Sequence, residues 1–267
     1  MTITNLLPQV LPPLKWAGGK RWLVATLYTL WQPFANRQLV EPFAGGLAVS
    51  LGLQPESALI NDINPHLINF YQQISKGLII NIRLENSEEL YYQHRDRFNQ
   101  LIKENNYKTA EAASIFYYLN KTGYNGLCRF NKKGFYNVPF GRYKKINYTN
   151  DFQDYQIVLE NWILSNRHFS NLDVAENAFI YADPPYDVEF TNYSSGGFNW
   201  DEQEHLAEWL SKHQGPVIAS NQATERIQKL YKKLDFKLIL VDAPRRISCN
   251  GDRSSAKEIL ALRGIEA

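Results

Sequence analysis

Cysteine and histidine are scarce in this 267-residue chain. Its two cysteines, Cys128 and Cys249, and its five histidines form no cluster with the spacing of a zinc site. We therefore expect no metal centre and a reducing compartment. The scattered histidines also match no arrangement typical of a hydrolase.

Long apolar runs are absent as well. The apolar stretch over residues 6–14 is interrupted by Pro8, Pro12 and Pro13 and lacks a basic lead. We expect neither a targeting signal nor a membrane segment, and therefore a cytoplasmic protein. A hydrophobic content of 44% with 21% charged residues is typical of a folded chain with one large domain or one domain carrying an insertion.

The small net charge of +2 hides a strong asymmetry. Residues 65–149 hold thirteen Lys and Arg against six Asp and Glu, whereas the remainder of the chain is acidic. Residues 121–145 hold seven basic residues and no acidic one. A basic segment in a nearly neutral protein predicts a polyanionic partner for that segment.

The sequence Asp183-Pro184-Pro185-Tyr186 follows a short apolar run over residues 178–182, which predicts a buried strand. Proline ends the strand in a rigid turn. Because ligands bind at the carboxyl ends of strands in open α/β sheets, the carboxylate, the Pro184 carbonyl and the Tyr186 ring suit a planar, amino-bearing base. The alternative is a strand-ending turn with a solvated aspartate.

A first strand is predicted over residues 38–41, followed by a glycine-containing turn over 42–46 and a helix over 47–53. A second strand over residues 57–60 precedes Asp62. A glycine turn beside a helix start lets a ligand approach the backbone, and an acid at the end of the next strand can bind ribose hydroxyls. Asp62 could equally be a helix-start residue.

The remaining pattern predicts one α/β domain in two pieces, residues 1–64 and 150–267, with an insertion over 65–149. Asn64 and Pro65 begin the insertion as an N-cap and a first helical residue. The insertion has helical spacing to about residue 120 and then a hairpin with glycine in its turn. After residue 150 we predict strands over 178–182, 216–219, 237–241 and 258–262, and helices over about 201–213 and 223–232.

Two further segments carry candidate binding residues. Residues 15–20 form a glycine turn between Lys15 and Lys20, with Trp16 beside it, which could clamp a zwitterion or a nucleic-acid backbone. Residues 120–145 interleave cations with aromatic rings, as expected of a surface that follows phosphates and contacts bases. Each segment also has a purely structural interpretation, as a helix start with a core tryptophan and as a hairpin with solvated lysines.

Together these motifs resemble the Dam-type DNA adenine methylases of the D12 class, alpha group, over roughly residues 15–262. The resemblance rests on residues 15–20, 41–46, 62, 124–129, 138–143, 183–186 and 246–251, which occur in the family's order. One departure is Leu47, where many members carry glycine, so that Gly45 and Gly46 alone are expected to shape the cofactor turn.

The resemblance implies a Rossmann-like methyltransferase sheet flanked by helices, with an inserted helical and hairpin target-recognition domain. It implies transfer of a methyl group from S-adenosylmethionine to the 6-amino group of adenine in double-stranded DNA, after the base is flipped out. Asp183 and the Pro184 carbonyl would accept the amino hydrogens while Tyr186 stacks on the base. The expected cofactor site comprises Trp16, Lys20, Phe43, Gly45, Asp62 and Asp183.

By the same resemblance the insertion reads GATC. Arg129 would grip a guanine, while Leu127 and Pro139 contact the thymine methyl and Lys15 takes part in recognition. Tyr124 and Asn125 would fill the gap left by the flipped base. The remaining DNA contacts are assigned to Lys132, Lys133, Arg142, Tyr143, Lys144 and Lys145. The expected protein is a monomer without an obligate protein partner, associated with the nucleoid of a prokaryote or with a phage.

Two rival interpretations stay open at this stage. Methyltransferases that act on RNA or on a protein glutamine use a similar motif, but they typically have asparagine in place of Asp183. A catalytically silent DNA-binding protein would keep the insertion and lose the cofactor site, which the presence of Lys20, Asp62 and Asp183 argues against. A solitary regulatory methylase and the modification half of a restriction system are indistinguishable here.

Overall fold

The computed structural model describes residues 8–187, 198–244 and 256–266. In this part of the chain seven strands form one sheet in the order β3-β2-β1-β4-β5-β7-β6. The strands are β1 Leu39–Glu41, β2 Ala58–Asn61, β3 Trp162–Ser165, β4 Phe179–Ala182, β5 Val217–Gln222, β6 Lys237–Ala243 and β7 Ala256–Arg263. The first five strands run parallel, and β7 is antiparallel to both of its neighbours.

Eight α-helices flank this sheet within the described ranges. They are α1 Val24–Trp31, α2 Ala48–Leu53, α3 Pro65–Ile74, α4 Glu88–Lys103, α5 Ala110–Thr122, α6 Gln153–Val158, α7 Trp200–Ser211 and α8 Glu225–Lys233. The start of α3 is as predicted, because the Asn64 side chain accepts hydrogen bonds from the backbone N–H groups of His66 and Leu67. No helix in the part of the chain that the structure covers is long and apolar enough to span a membrane.

The two faces of the sheet bury alternate residues of each strand. Along β4, Phe179 and Tyr181 join one apolar cluster, whereas Ile180 and Ala182 join a second cluster on the opposite face. Helices α1 to α5 pack into the first cluster, and α7 and α8 pack into the second. The parallel strands are therefore buried on both sides, which explains their nearly continuous apolar sequences.

The order of the strands reverses between β1 and β4. From β1 the chain proceeds outward to β2 and β3, and from β4 it proceeds in the other direction to β5. The two central strands pair in parallel, with Leu39 opposite Phe179 and Val40 opposite Ile180. Their carboxyl ends therefore meet at a topological switch point, where open α/β sheets bind ligands.

The architecture confirms the predicted α/β methyltransferase fold, and the predicted strands are present with bounds shifted by a few residues. Strand β3 and helix α6 were not predicted. The motif over residues 246–251 lies outside the described residues.

The segment 65–149 contributes α3, α4, α5 and the hairpin. Helix α3 packs against β3 as well as against α5, and one apolar cluster extends from the sheet into α4 and α5. The division of the chain into a catalytic and a recognition domain stays a prediction.

The predicted hairpin is confirmed at its turn. Phe130 and Tyr136 form an antiparallel bridge, and the Asn131 N–H donates to the Phe135 carbonyl at 2.8 Å. Gly134 has a φ of +79°, the left-handed conformation that this turn requires.

Candidate active site and DNA interface

Asp183 lies directly after β4, and its side chain is 20% exposed. The Lys20 ammonium lies 3.1 Å from Asp183 Oδ1, and the Ser220 hydroxyl donates to the same oxygen at 2.7 Å. Burial raises the pKa of Asp183, whereas Lys20 and the hydrogen bond from Ser220 oppose that rise. The aspartate is thus a partly desolvated carboxylate whose charged form is supported by specific partners.

Tyr186 and Lys20 bring a further acid into the site. The Tyr186 hydroxyl donates to Glu258 Oε2 at 2.7 Å, and the Lys20 ammonium lies 4.0 Å from the same oxygen. Lys20 also lies 4.7 Å from the centroid of the Tyr186 ring. A strand around Glu258 was predicted, but the sequence carries no signal for the place of Glu258 in the site, because β7 comes to lie beside β5 only by inserting between β5 and β6.

The turn after β1 is held by Asp62, a contact that the sequence analysis did not predict. Asp62 Oδ2 accepts from the Gly45 N–H at 3.0 Å, and Oδ1 accepts from the Asn64 N–H at 2.9 Å. The Tyr71 hydroxyl donates to the Gly45 carbonyl at 2.6 Å. A side chain at Gly45 would collide with Trp16, since a Cβ there would lie 2.7 Å from the indole Nε1. This close approach explains the need for glycine at position 45.

Leu47 corrects the expectation that the two glycines alone shape this turn. It adopts a φ of +60°, in the left-handed region, while its side chain is buried. Gly45 has a φ of +47°, whereas the φ of Gly46 is not positive. A left-handed leucine costs roughly 1–2 kcal/mol, and burying its side chain contributes roughly 1.5–3 kcal/mol, so packing outweighs the backbone strain.

Glu41, at the end of β1, is a buried carboxyl group that accepts a hydrogen bond from the Ser50 hydroxyl. Burial raises the pKa of Glu41 to about 8; the hydrogen bond from Ser50 opposes this, and the neighbouring Asp183 and Asp62 add to it. Burial also raises the pKa of Asp62, against the two backbone N–H groups that bind it. Because β1 and β4 pair in parallel, the turns that follow them lie side by side, and Glu41 is close enough to both aspartates for them to raise its pKa.

Phe43, in the turn after β1, lies among aromatic rings. Its centroid is 5.7 Å from that of Phe169 and 5.5 Å from that of Phe198, the latter edge-to-face. The ring is thus positioned within the second apolar cluster.

The segment that carries Lys20 is joined to the insertion at Lys15. Asn120, at the end of α5, accepts from the Lys15 N–H and donates to the Lys15 carbonyl, both at 2.8 Å. The Lys15 ammonium donates to the Lys121 carbonyl at 2.7 Å and lies 3.6 Å from the Tyr143 ring centroid. Burial, together with Lys121, lowers the pKa of Lys15 to about 8.

Arg129 lies on the first strand of the hairpin, where its guanidinium group is held by Asn137. The Arg129 Nε donates to Asn137 Oδ1 at 2.8 Å, and Nη2 donates to the Asn137 carbonyl at 3.1 Å. Cys128 and Phe130, which flank Arg129 in sequence, contact residues at the start of α3. The Cys128 sulfur accepts from the Asn64 amide at 3.4 Å, and the Phe130 ring stacks on His66 with centroids 4.9 Å apart.

The other expected DNA contacts differ in exposure. Tyr124, Asn125 and Pro139 are exposed, and the Tyr124 N–H donates to the Pro139 carbonyl at 2.9 Å. Leu127 is half-buried. The exposed cations are Lys132, Lys133, Arg142, Lys144 and Lys145. Tyr124 and Pro139 thus lie together on the surface of the insertion.

Comparison with known proteins decides the family. Residues 16–247 match the model of the D12 class N6 adenine-specific DNA methyltransferases. The chain belongs to this family. Its relatives include the retron Ec67 DNA adenine methylase of Escherichia coli, 36% identical over 94% of this chain and 90% of that protein. The DNA adenine methylase of Vibrio cholerae is 37% identical, over 93% of this chain and 94% of the relative.

A type II methyltransferase of Methanocaldococcus jannaschii is 32% identical, over 92% of this chain and 95% of the relative. As a member of this family the chain is an adenine-specific DNA methyltransferase, and its methyl donor is S-adenosylmethionine. The residues present fit a cationic sulfonium donor, because Asp62 and Asp183 place two carboxyl groups at this end of the sheet.

The buried Glu41 makes stability depend on pH. Its pKa is about 4.5 in an unfolded chain and about 8 in the folded protein, so the folded state binds the additional proton between these values and loses stability as the pH rises. We expect Glu41→Gln, which keeps an acceptor for Ser50, to remove this loss. The variant should be more stable than the parent at pH 8, on the order of a few kcal/mol.

Urea unfolding at a series of pH values measures this effect. Glu176→Gln, at an exposed position, is the matched control and should retain the parent's pH dependence. Parallel stability profiles for the parent and Glu41→Gln would contradict the assignment.

Proposed function

We propose that this methyltransferase modifies the 6-amino group of adenine within GATC in double-stranded DNA, and that it does so on a base flipped out of the helix. The observation that carries the proposal is the placement of Asp183 at the switch point, beside the Gly45 turn and bound by Lys20. The acting unit is taken to be a monomer without a protein partner.

Asp183 acts on the substrate amino group in this proposal. Both Lys20 and Ser220 contact Oδ1, so Oδ2 is the oxygen that accepts a hydrogen from the flipped adenine. The Pro184 carbonyl accepts the second hydrogen, and the nitrogen becomes more pyramidal as its lone pair becomes available. The carboxylate thereby stabilises positive charge that develops on the nitrogen in the transition state. Tyr186 supports the face of the base.

The cofactor residues are assigned by their chemistry. Asp62 keeps lone pairs for ribose hydroxyls besides those used by the two backbone N–H groups. The Phe43 ring offers an apolar face for the cofactor adenine, while Trp16 and Gly45 shape the turn. S-adenosylmethionine supplies an activated methyl group on its sulfonium, and the surrounding carboxyl groups, with Lys20 holding Asp183 in place, favour that cation.

Recognition of the target site is assigned to the hairpin and to Lys15. The guanidinium of Arg129 is pre-oriented by Asn137, which supports bidentate contact with a guanine in the major groove. Leu127 and Pro139 supply apolar contacts for a thymine methyl group. Tyr124 and Asn125 are exposed, as required of residues that fill the gap left by the flipped base. The exposed cations of the hairpin and of residues 142–145 are assigned to phosphates.

Expression in a host without adenine methylation tests activity and target site together. Genomic DNA is then digested with two nucleases that respond in opposite ways to methylated GATC. We expect full protection from one and sensitivity to the other for the parent, and no protection for Asp183→Ala, because that variant lacks the acceptor for the amino group. A gel-shift assay should show that Asp183→Ala still binds duplex DNA.

Asp173→Ala, at an exposed position, is the matched control and should protect the DNA as the parent does. Equal loss of duplex binding and methylation in Asp183→Ala would mean that Asp183 is structural. If the parent methylates the DNA but the nuclease that methylated GATC blocks still cleaves it, the assignment of GATC as the target site is wrong.

Arg129→Ala and Lys132→Ala each remove one positive charge from the same hairpin. We expect Arg129→Ala to reduce discrimination at one base pair by about 1–3 kcal/mol, because a base contact is lost. Lys132→Ala should weaken binding to all duplexes alike and reduce the slope of log affinity against log salt by about 1. Binding to GATC and near-cognate duplexes at several salt concentrations separates the two. Unchanged discrimination in Arg129→Ala would refute its role in reading the site.

A further inference from the structure

Glu258 is a buried acid that the proposed mechanism has not yet used. It lies on β7, with Gln222 of β5 opposite on one side and Val241 of β6 on the other, and it is 8% exposed. Its carboxylate reaches the catalytic turn rather than solvent. A buried carboxylate in this position requires partners, and Tyr186 and Lys20 supply them.

The contacts of the Tyr186 ring restrain it in two different ways. The hydroxyl lies on the long axis of the ring, so its hydrogen bond of 2.7 Å to Glu258 Oε2 fixes the direction of that axis. The Lys20 ammonium, 4.7 Å from the ring centroid, lies against the ring and limits its rotation about the axis. A hydrogen bond to an ionised acceptor is short and strong, which suits a restraint on a single ring.

The same two partners favour the charged form of Glu258. Burial raises the pKa of Glu258, whereas Lys20 and the hydrogen bond from Tyr186 oppose that rise. Lys20 therefore lies between two carboxylates, Asp183 and Glu258, and the Tyr186 ring lies next to both. Asp183, assigned to one amino hydrogen, and Tyr186, assigned to the face of the base, are thus connected through Lys20 and Glu258.

We propose that Glu258 is a positioning residue that holds the Tyr186 ring at the angle required to support the flipped adenine while Asp183 binds its amino group. This inference rests on the proposed function, since it specifies how the assigned aromatic residue is aimed. It assigns to Glu258 no contact with the base or the methyl donor. Glu258 acts through the phenol oxygen alone.

If Glu258 acts through its hydrogen bond, Glu258→Gln should remain active. If Glu258 acts through its charge, Glu258→Gln should be as impaired as Glu258→Leu. Glu258→Leu removes the acceptor, whereas Glu258→Gln removes the charge and keeps an oxygen that accepts from Tyr186. In single-turnover methyl transfer to a GATC duplex we expect about a tenfold loss for Glu258→Leu and less than about a threefold loss for Glu258→Gln. Cofactor affinity should stay within about twofold of the parent in both variants.

A double-mutant cycle then tests the path. Tyr186→Phe keeps the ring but deletes the hydroxyl, and it should lose about tenfold in rate, as Glu258→Leu does. The combination of Tyr186→Phe with Glu258→Leu should be no slower than Tyr186→Phe alone, which removes the same hydrogen bond and also the interaction of the hydroxyl with Asp183. Glu225→Gln, on the exposed surface of α8, is the control and should match the parent.

Two results would overturn the inference. Losses that multiply to about a hundredfold in the double variant would show that Glu258 acts independently of Tyr186. An equal loss of rate in Glu258→Gln and Glu258→Leu would show that the charge of Glu258 matters rather than its hydrogen bond. Glu258→Gln can still be measured if Glu258→Leu does not fold. Failure of the parent itself to methylate the duplex would instead refute the proposed function.

Discussion

The ion pair between Lys20 and Asp183 is the interaction on which this site depends. Lys20 is only 4% exposed and comes from the segment before the first strand, whereas Asp183 comes from the end of β4. Removing one partner of such a pair leaves an uncompensated charge at a cost of about 3–5 kcal/mol. The same ammonium supports Glu258 and lies against Tyr186, so one buried cation organises the turn that follows β4.

The recognition segment is fixed to this centre through short connections. Lys15, five residues before Lys20, is bound through both its backbone N–H and its backbone carbonyl to Asn120, at the end of α5. Asn64 and His66, at the start of α3, contact Cys128 and Phe130. Residues assigned to base reading are therefore placed by segments that lie next to Asp62 and Lys20 in the chain, which suits a reaction requiring both substrates together.

Sequence reasoning predicted the central strands well, because β1, β2, β4 and β5 are buried on both faces and their apolar runs end in recognisable turns. It missed β3, which lies at the edge of the sheet with Ile163 58% exposed and whose apolar run covers only residues 162–164. It also missed Ser220 and gave Glu258 no role, since each is an ordinary strand residue in sequence and acquires its place only when β5 lies beside β4 and β7 lies beside β5. The left-handed Leu47 was not predictable from local preference, because packing overrides the usual penalty.

The central claim is that Asp183 works as a carboxylate whose charge is maintained by Lys20 and Ser220. The acid side of the pH profile of kcat/KM for methyl transfer, measured for the parent and for Ser220→Ala, tests it most directly. Because burial raises the pKa of Asp183 and the Ser220 hydroxyl opposes that rise, the activity of the parent should fall at a pH above the ordinary aspartate value of 3.8. In Ser220→Ala the fall should begin at a still higher pH. Superimposable profiles for the two proteins would contradict the account.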